Sequence, residues 1–177
     1  MTIQTENEMW DLYTKDREKT GRLHRRGDAM KDGEYHLVIH VCIFNSRNEL
    51  LIQQRQPFKE DWPDMWDLTA AGSALQGENS CQAAEREVAE ELGLKIDLSD
   101  RRADFTINFD YGFDDYFLLE QEVDITQLHL QEEEVQDVRW CSKEEALRMQ
   151  EEGRMIPYWF LDKLFEVRGM CDAHGRR

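Results

Sequence analysis

The chain has 177 residues, 40% of them hydrophobic and 34% charged, with a formal net charge of −16 and a pI near 4.7. That length suits one domain with a decorated terminus, 1–177, and that apolar fraction builds a core. A surface so acidic repels phosphate backbones and excludes sequence-independent nucleic-acid binding.

A small phosphorylated substrate stays open, provided divalent cations bridge the two sets of negative charge. Cys42, Cys81, Cys141 and Cys171 are scattered, with no CxxC spacing, so structural zinc is not expected. The first 30 residues lack the apolar core of a signal peptide, and no 18-residue apolar run exists, so no membrane association is expected. The expectation is a cytoplasmic protein with its cysteines reduced.

Residues 1–8 are polar and expected to fray. MWDLY (9–13) reads as a short strand, 14–21 as a turn, and 22–34 as a basic, irregular return. Residues 9–34 together suggest an extra N-terminal hairpin that closes the pocket, with a homodimer contact as the alternative. HLVIHVCIFN (36–45) predicts a buried strand, and LLIQQRQ (50–56) completes a hairpin across SRNE. PFKEDWPDMW reads as an ordered loop, and WDLTAAG (66–72) as one short strand. Asn79 or Ser80 caps a helix to Leu92, which Gly93 stops. Strands follow at 102–110, 114–124 and 135–141. Ser142 and Glu145 form a capping box for a helix through about Glu151, and 157–167 predicts a final amphipathic helix before a polar tail, 169–177. Hairpins mixed with helices predict an α/β (α+β) fold around a mixed sheet.

The helix at 80–92 carries the chemistry. At about 100° per residue, Cys81, Ala84, Val88 and Leu92 share one apolar face. Glu87, Glu90 and Glu91 cluster beside it at the i, i+3, i+4 spacing, with Arg86 four residues before Glu90. Each like-charge pair costs a few tenths of a kcal/mol, roughly, in an isolated helix. A hard divalent cation converts that cost into a gain.

Gly72, Glu78 and the run Arg86-Glu87-Val88-Ala89-Glu90-Glu91-Leu92-Gly93-Leu94 match G-x5-E-x7-R-E-U-x-E-E-x-G-U without a gap, U being a bulky aliphatic. Over these 23 residues the chain resembles the Nudix hydrolases. The strand pairs around the box extend the likeness to an αβα Nudix sandwich over about 35–165, with 1–34 as an extension. The resemblance implies hydrolysis of a nucleoside diphosphate linked to another moiety. It implies Mg²⁺ or Mn²⁺ held by Glu87, Glu90, Glu91 and the carbonyl of Ala71. Glu78 would support the loop or a second metal, Arg86 would orient the carboxylates, and Glu87 is a candidate general base. Outside the box, Asp114, Asp115 and Glu132–Glu134 are further candidates for the base, and Asp115 is the first choice.

GEYHLVIHVCIFN, the QQR ending at Arg55, WPDMWDLTAAGS and PYWFLDKLF resemble the branch related to isopentenyl-diphosphate isomerase. That enzyme's cysteine is replaced here by Ala71 and one metal-binding histidine by Ser73, while His24 and His36 match its other two histidines. The isomerase is therefore the alternative reading, and a silent nucleotide-binding module a second. Arg55, His24, His36, Trp66 and Trp159 are the candidate substrate contacts. Tyr111, Tyr158, Trp62, Arg22, Arg25 and Arg26 are further residues able to stack on a base or meet a phosphate.

Overall fold

The computed structural model describes residues 8–170 and His174. The expectations for residues 1–7, for Cys171 and for most of the polar tail lie outside the described residues. Those described form nine strands and three α-helices.

β1 (Met9–Tyr13) and β2 (Lys19–Arg25) make an antiparallel two-stranded sheet, with Trp10 opposite His24. Here the structure departs from the irregular return expected of 22–34. Thr14 and Glu18 close the turn by a backbone bond of 2.8 Å, with Arg17 at φ 62°. β2 begins at once, and only its His24 is buried. A strand exposed on nearly all sides shows no apolar alternation, so the sequence hides it.

The main sheet is mixed. β3 (His36–Phe44) runs parallel to β8 (Gly112–Glu120) over nine paired positions. β4 (Leu50–Arg55) and β5 (Trp66–Asp67) lie on one side, and β7 (Phe105–Phe109) on the other, in the order β5-β4-β3-β8-β7. β6 (Ala70–Ser73) pairs with β3, and β9 (Val135–Cys141) pairs with β4. The expected single strand at 66–72 is thus two, each on a different neighbour. Thr69 explains the break. Its buried hydroxyl accepts from Ile43 N at 2.9 Å and donates to Leu51 O at 2.5 Å. One side chain therefore joins the diverging β3 and β4, and the main chain passes between them.

Each sheet face is covered. Leu37, Ile39, Val41 and Ile43 of β3 pack toward α1 (Ser80–Leu92), which contributes Ala83, Ala84, Val88 and Leu92. Cys42 and Phe44 point the other way, toward α2 (Lys143–Glu151) and α3 (Leu161–Val167), with Met149, Leu161 and Phe165. Period-two alternation along β3 thus serves both layers. Cys42, Cys81 and Cys141 are free thiols, and Cys42 and Cys141 act as small core residues. α3 is shorter than the apolar run from 157 predicts. Pro157 has no N–H to donate, and Tyr158 turns aside to donate its hydroxyl to Asp67 at 2.6 Å. Among the described residues, no helix is long and apolar enough to cross a membrane.

Gly93 ends α1 at φ 63°, with a Cβ there lying 2.9 Å from the Cβ of His129. Gly93→Ala is expected to lower stability by about 1–2 kcal/mol, read as a lower urea midpoint at unchanged slope.

Candidate active site

The site begins with the cap of α1. Asn79 accepts from Gln82 N, and the Gln82 side chain accepts from Asn79 N, a reciprocal capping box that fixes where the helix starts. From that start, the 3.6-residue repeat turns Val88 and Leu92 into the core and carries Glu91 in with them. Glu91 is 6% exposed, whereas the Glu90 side chain is 53% exposed.

Glu87 points at β6. A Cβ on Gly72 would lie 2.1 Å from Glu87 Oε1. Only glycine leaves room there, so the carboxyl rests directly on the β6 backbone.

Arg86 ties the cluster together. Its guanidinium donates to Glu78 Oε1 at 2.7 Å, Glu78 Oε2 at 3.0 Å, Glu87 Oε1 at 2.9 Å, Glu90 Oε2 at 3.0 Å and the Ser73 carbonyl at 3.1 Å. The planar fork suits this task, since it meets several carboxylates at once. Glu78 also accepts from Leu75 N at 2.8 Å. Both of its oxygens are therefore engaged in holding the 74–78 loop.

Burial dominates the electrostatics. It raises the Glu87 carboxyl to about 7, against the opposing charge and hydrogen bond of Arg86. It also holds Glu91 well above the carboxylate range, reinforced by the charge of Glu87 and opposed by a hydrogen bond from Gln53. Gln53 donates to Glu91 Oε2 at 3.0 Å. Its own Oε1 is buried and has no donor among the described residues. Glu87, Glu91 and Gln53 thus present oxygen acceptors that the fold only partly neutralises. This donor set fits a hard divalent cation, which takes oxygen ligands. As placed, Arg86 draws Glu87 and Glu90 to itself, and among the described residues no three acidic, histidine or cysteine side chains stand in ready ligating geometry.

Asp115 takes a different position from the one expected of a base. It accepts two hydrogen bonds from Arg17, at 2.9 and 2.7 Å, and others from Thr106 and from Ser80 at 2.7 Å. Ser80 opens α1, seven residues before Glu87, and that is roughly 10 Å along the axis. Asp115 therefore anchors the start of the helix to the hairpin turn. Its side chain is 3% exposed. Asp115→Ala removes the acceptor shared by Arg17, Thr106 and Ser80, and because Arg17 is 40% exposed and can rehydrate, the expected cost is about 1–3 kcal/mol in urea unfolding. Burial alone would raise this carboxyl, but the Arg17, Thr106 and Ser80 bonds hold it below the usual range. Its contribution is thus present above the ordinary carboxylate pKa and lost as pH falls through the lowered folded value.

Other candidates are also redirected. His24 and His36 are buried and flank the Trp10 indole, His36 stacking at 4.4 Å and 11°. Burial, then the nearby His24, lowers His36 to about 4. The pair fastens the hairpin to β3 and is spent on packing. Trp66 is 8% exposed, with Arg139 over its ring at 4.7 Å, so it is a core residue. Arg55 is held by the Asp61 carbonyl at 3.1 Å and lies 3.8 Å from Asp67. Trp159 is 78% exposed. Ala71 lies in β6 opposite His40.

Gln53 is a site residue that the sequence candidates do not include. Its signal was present, a polar residue inside the apolar run LLI-QQ. In the sequence Gly72 is one position of the box; in the structure it also seats Glu87.

The NUDIX domain family model matches residues 34–161. An uncharacterized Nudix hydrolase of Listeria monocytogenes is 54% identical over 167 residues, covering 94% of this chain and 99% of that protein. Nudix hydrolase 3 of Arabidopsis thaliana is 34% identical over 94% of this chain, which corresponds to 24% of the plant protein. An isopentenyl-diphosphate Delta-isomerase of Pectobacterium atrosepticum is 40% identical over only 45% of this chain and 44% of its own length. In fold, the chain is similar to the Deinococcus radiodurans protein DR0079, with a TM-score of 0.71 and 21% identity over 89% of this chain and 97% of that one. The chain belongs to the Nudix family and is a Nudix hydrolase.

Proposed function

We propose that this hydrolase cleaves a phosphoanhydride bond in a nucleoside diphosphate linked to another moiety, or in a related diphosphate compound, in the cytosol. Glu87, Glu90 and Glu91, with the carbonyl of Ala71, would hold Mg²⁺ or Mn²⁺. When bound, the cation neutralises phosphate oxygens and stabilises the departing phosphate. The observation that carries this reading is the buried Glu91 with the partly buried Glu87 one turn before it on the same helix face, two carboxylates kept together at a cost that packing alone gives no reason to retain.

The remaining work falls to the chain. Arg86 holds Glu87 and Glu90 in register and ties them to Glu78, so the helix and the 74–78 loop move as one piece. Gln53 orients Glu91 from below. Asp115 is withdrawn as the base because its oxygens serve Arg17, Thr106 and Ser80. The proton of the attacking water goes instead to a carboxylate of the α1 cluster, and our assignment is Glu87, fixed against Gly72. The isomerase reading loses ground at Ala71, which offers no proton to carbon.

The test is a phosphate-release screen with Mg²⁺ or Mn²⁺ over nucleoside diphosphates, triphosphates, nucleotide sugars and isopentenyl diphosphate. Turnover of one class, absent in Glu91→Gln, is the expected result. Tight nucleotide binding without turnover would favour a silent binding module.

A further inference from the structure

We infer that Arg26, carried by the N-terminal hairpin, binds a substrate phosphate, and that Glu8 is the internal carboxylate it relinquishes when substrate arrives. This rests on the diphosphate reading above.

The hairpin is fixed to the site by the chain itself. Gln76 N donates to the Met9 carbonyl at 2.7 Å, and Gly77 N donates to Asp11 Oδ2 at 2.8 Å. Both lie in the loop that Glu78 and Arg86 hold. Trp10 stacked on His36 adds a second fastening, and Tyr13 N bonded to Tyr35 O at 2.7 Å a third. The open end of this hairpin therefore stands beside the α1 carboxylates.

That end carries an ion pair. Arg26 N donates to the Glu8 carbonyl at 2.9 Å, and Arg26 Nη1 to Glu8 Oε2 at 2.7 Å. Burial lowers the Arg26 guanidinium, but Glu8, Glu134 and Glu87 outweigh it and hold it above the usual range. Arg26 therefore lies within electrostatic reach of the cluster from the hairpin side.

Chemistry then separates Arg26 from the other cations. Arg86 is spent on three carboxylates and a carbonyl. Lys59 is held by Glu134 at 2.5 Å. Arg26 has one side-chain partner among the described residues, through one nitrogen, and its side chain is 44% exposed. A guanidinium so placed can turn its fork to a phosphate. An anionic substrate approaching this many carboxylates needs such a cation from outside α1. Arg47, exposed between β3 and β4 and paired with Glu49 at 2.8 Å, serves as the control.

The experiment measures calorimetric affinity for methylenediphosphonate in Mg²⁺, with KM and kcat on whichever substrate the screen identifies. Arg26→Ala is expected to weaken binding by about tenfold to a hundredfold and to raise KM more than it lowers kcat. Arg26→Lys should recover part of the affinity. Glu8→Gln should tighten binding by about threefold, since it removes the competitor. Arg47→Ala should leave it unchanged. A purely structural ion pair gives a different result, in which Arg26→Ala and Glu8→Gln weaken binding together. That outcome, or unchanged affinity in Arg26→Ala, overturns the proposal while the wild type still binds. A wild type that binds no diphosphonate overturns the diphosphate reading and this proposal with it.

Discussion

Replacing Glu91 by glutamine is expected to abolish turnover and, in metal-free buffer at pH 8, to make the protein more stable than the wild type. The two effects share one cause. Glu91 is a carboxyl held in the core beside Glu87, with one hydrogen bond from Gln53 to offset its burial. Glutamine keeps the shape and removes the charge. Its loss from the cluster should lower activity by at least about a hundredfold, the upper end of what disturbing the support of a metal ligand costs.

The stability gain depends on pH, with a definite sign. Both carboxyls are raised, so at pH 4 they are protonated in the folded chain and mostly protonated in the unfolded one. Above the ordinary carboxylate range the unfolded chain ionises first, and wild-type stability falls until the folded groups ionise, near pH 7 for Glu87. The two proteins should therefore unfold at similar urea concentrations at pH 4 and separate as pH rises. A Glu91→Gln variant less stable than wild type at pH 8 would remove the idea that this carboxylate is kept for function at the expense of the fold.

Gly72→Ala is the second large effect. The new methyl would meet Glu87 Oε1 at 2.1 Å and its Cδ at 2.3 Å. The contact is with a side chain, so the helix can stay while the carboxylate is pushed off its seat. Activity should drop by about a hundredfold, because an ångström-scale shift of a reacting group costs that much. The urea midpoint should change little. Gly112→Ala provides the contrast. There the methyl would lie 2.3 Å from the backbone oxygen of His36, within the central parallel pair. Backbone cannot step aside, so that variant should lose stability. If Gly72→Ala unfolds as readily as Gly112→Ala with normal activity in the surviving fraction, the seat has only a packing role.

How much of this the sequence disclosed depends on how local each cause was. The bounds of α1 follow from Asn79, Gln82 and Gly93, all within or beside the helix, and they are legible. So is the carboxylate cluster, since residues three and four apart on a helix are neighbours by geometry. The exposed strand β2 is not legible, because its charged residues carry no periodic apolar signal. Neither is the task of Asp115, whose partner Arg17 lies 98 positions away in sequence. The same holds for Gln53, whose burial shows as an oddity in β4 but whose partner Glu91 is 38 residues on. Trp66, covered by the Arg139 guanidinium, and His24 and His36, stacked on Trp10, share one physical lesson. Aromatic rings suited to stacking on a ligand are equally suited to stacking on each other or under a guanidinium, and here the core and the hairpin claim them first.

The most direct test is calorimetric titration of Mn²⁺ into wild type and Glu91→Gln at pH 8, independent of any substrate. The expected result is saturable binding to wild type with proton release, weakened at least about tenfold in the variant. Equal affinity in the two proteins would contradict the assignment of the α1 carboxylates as the metal centre.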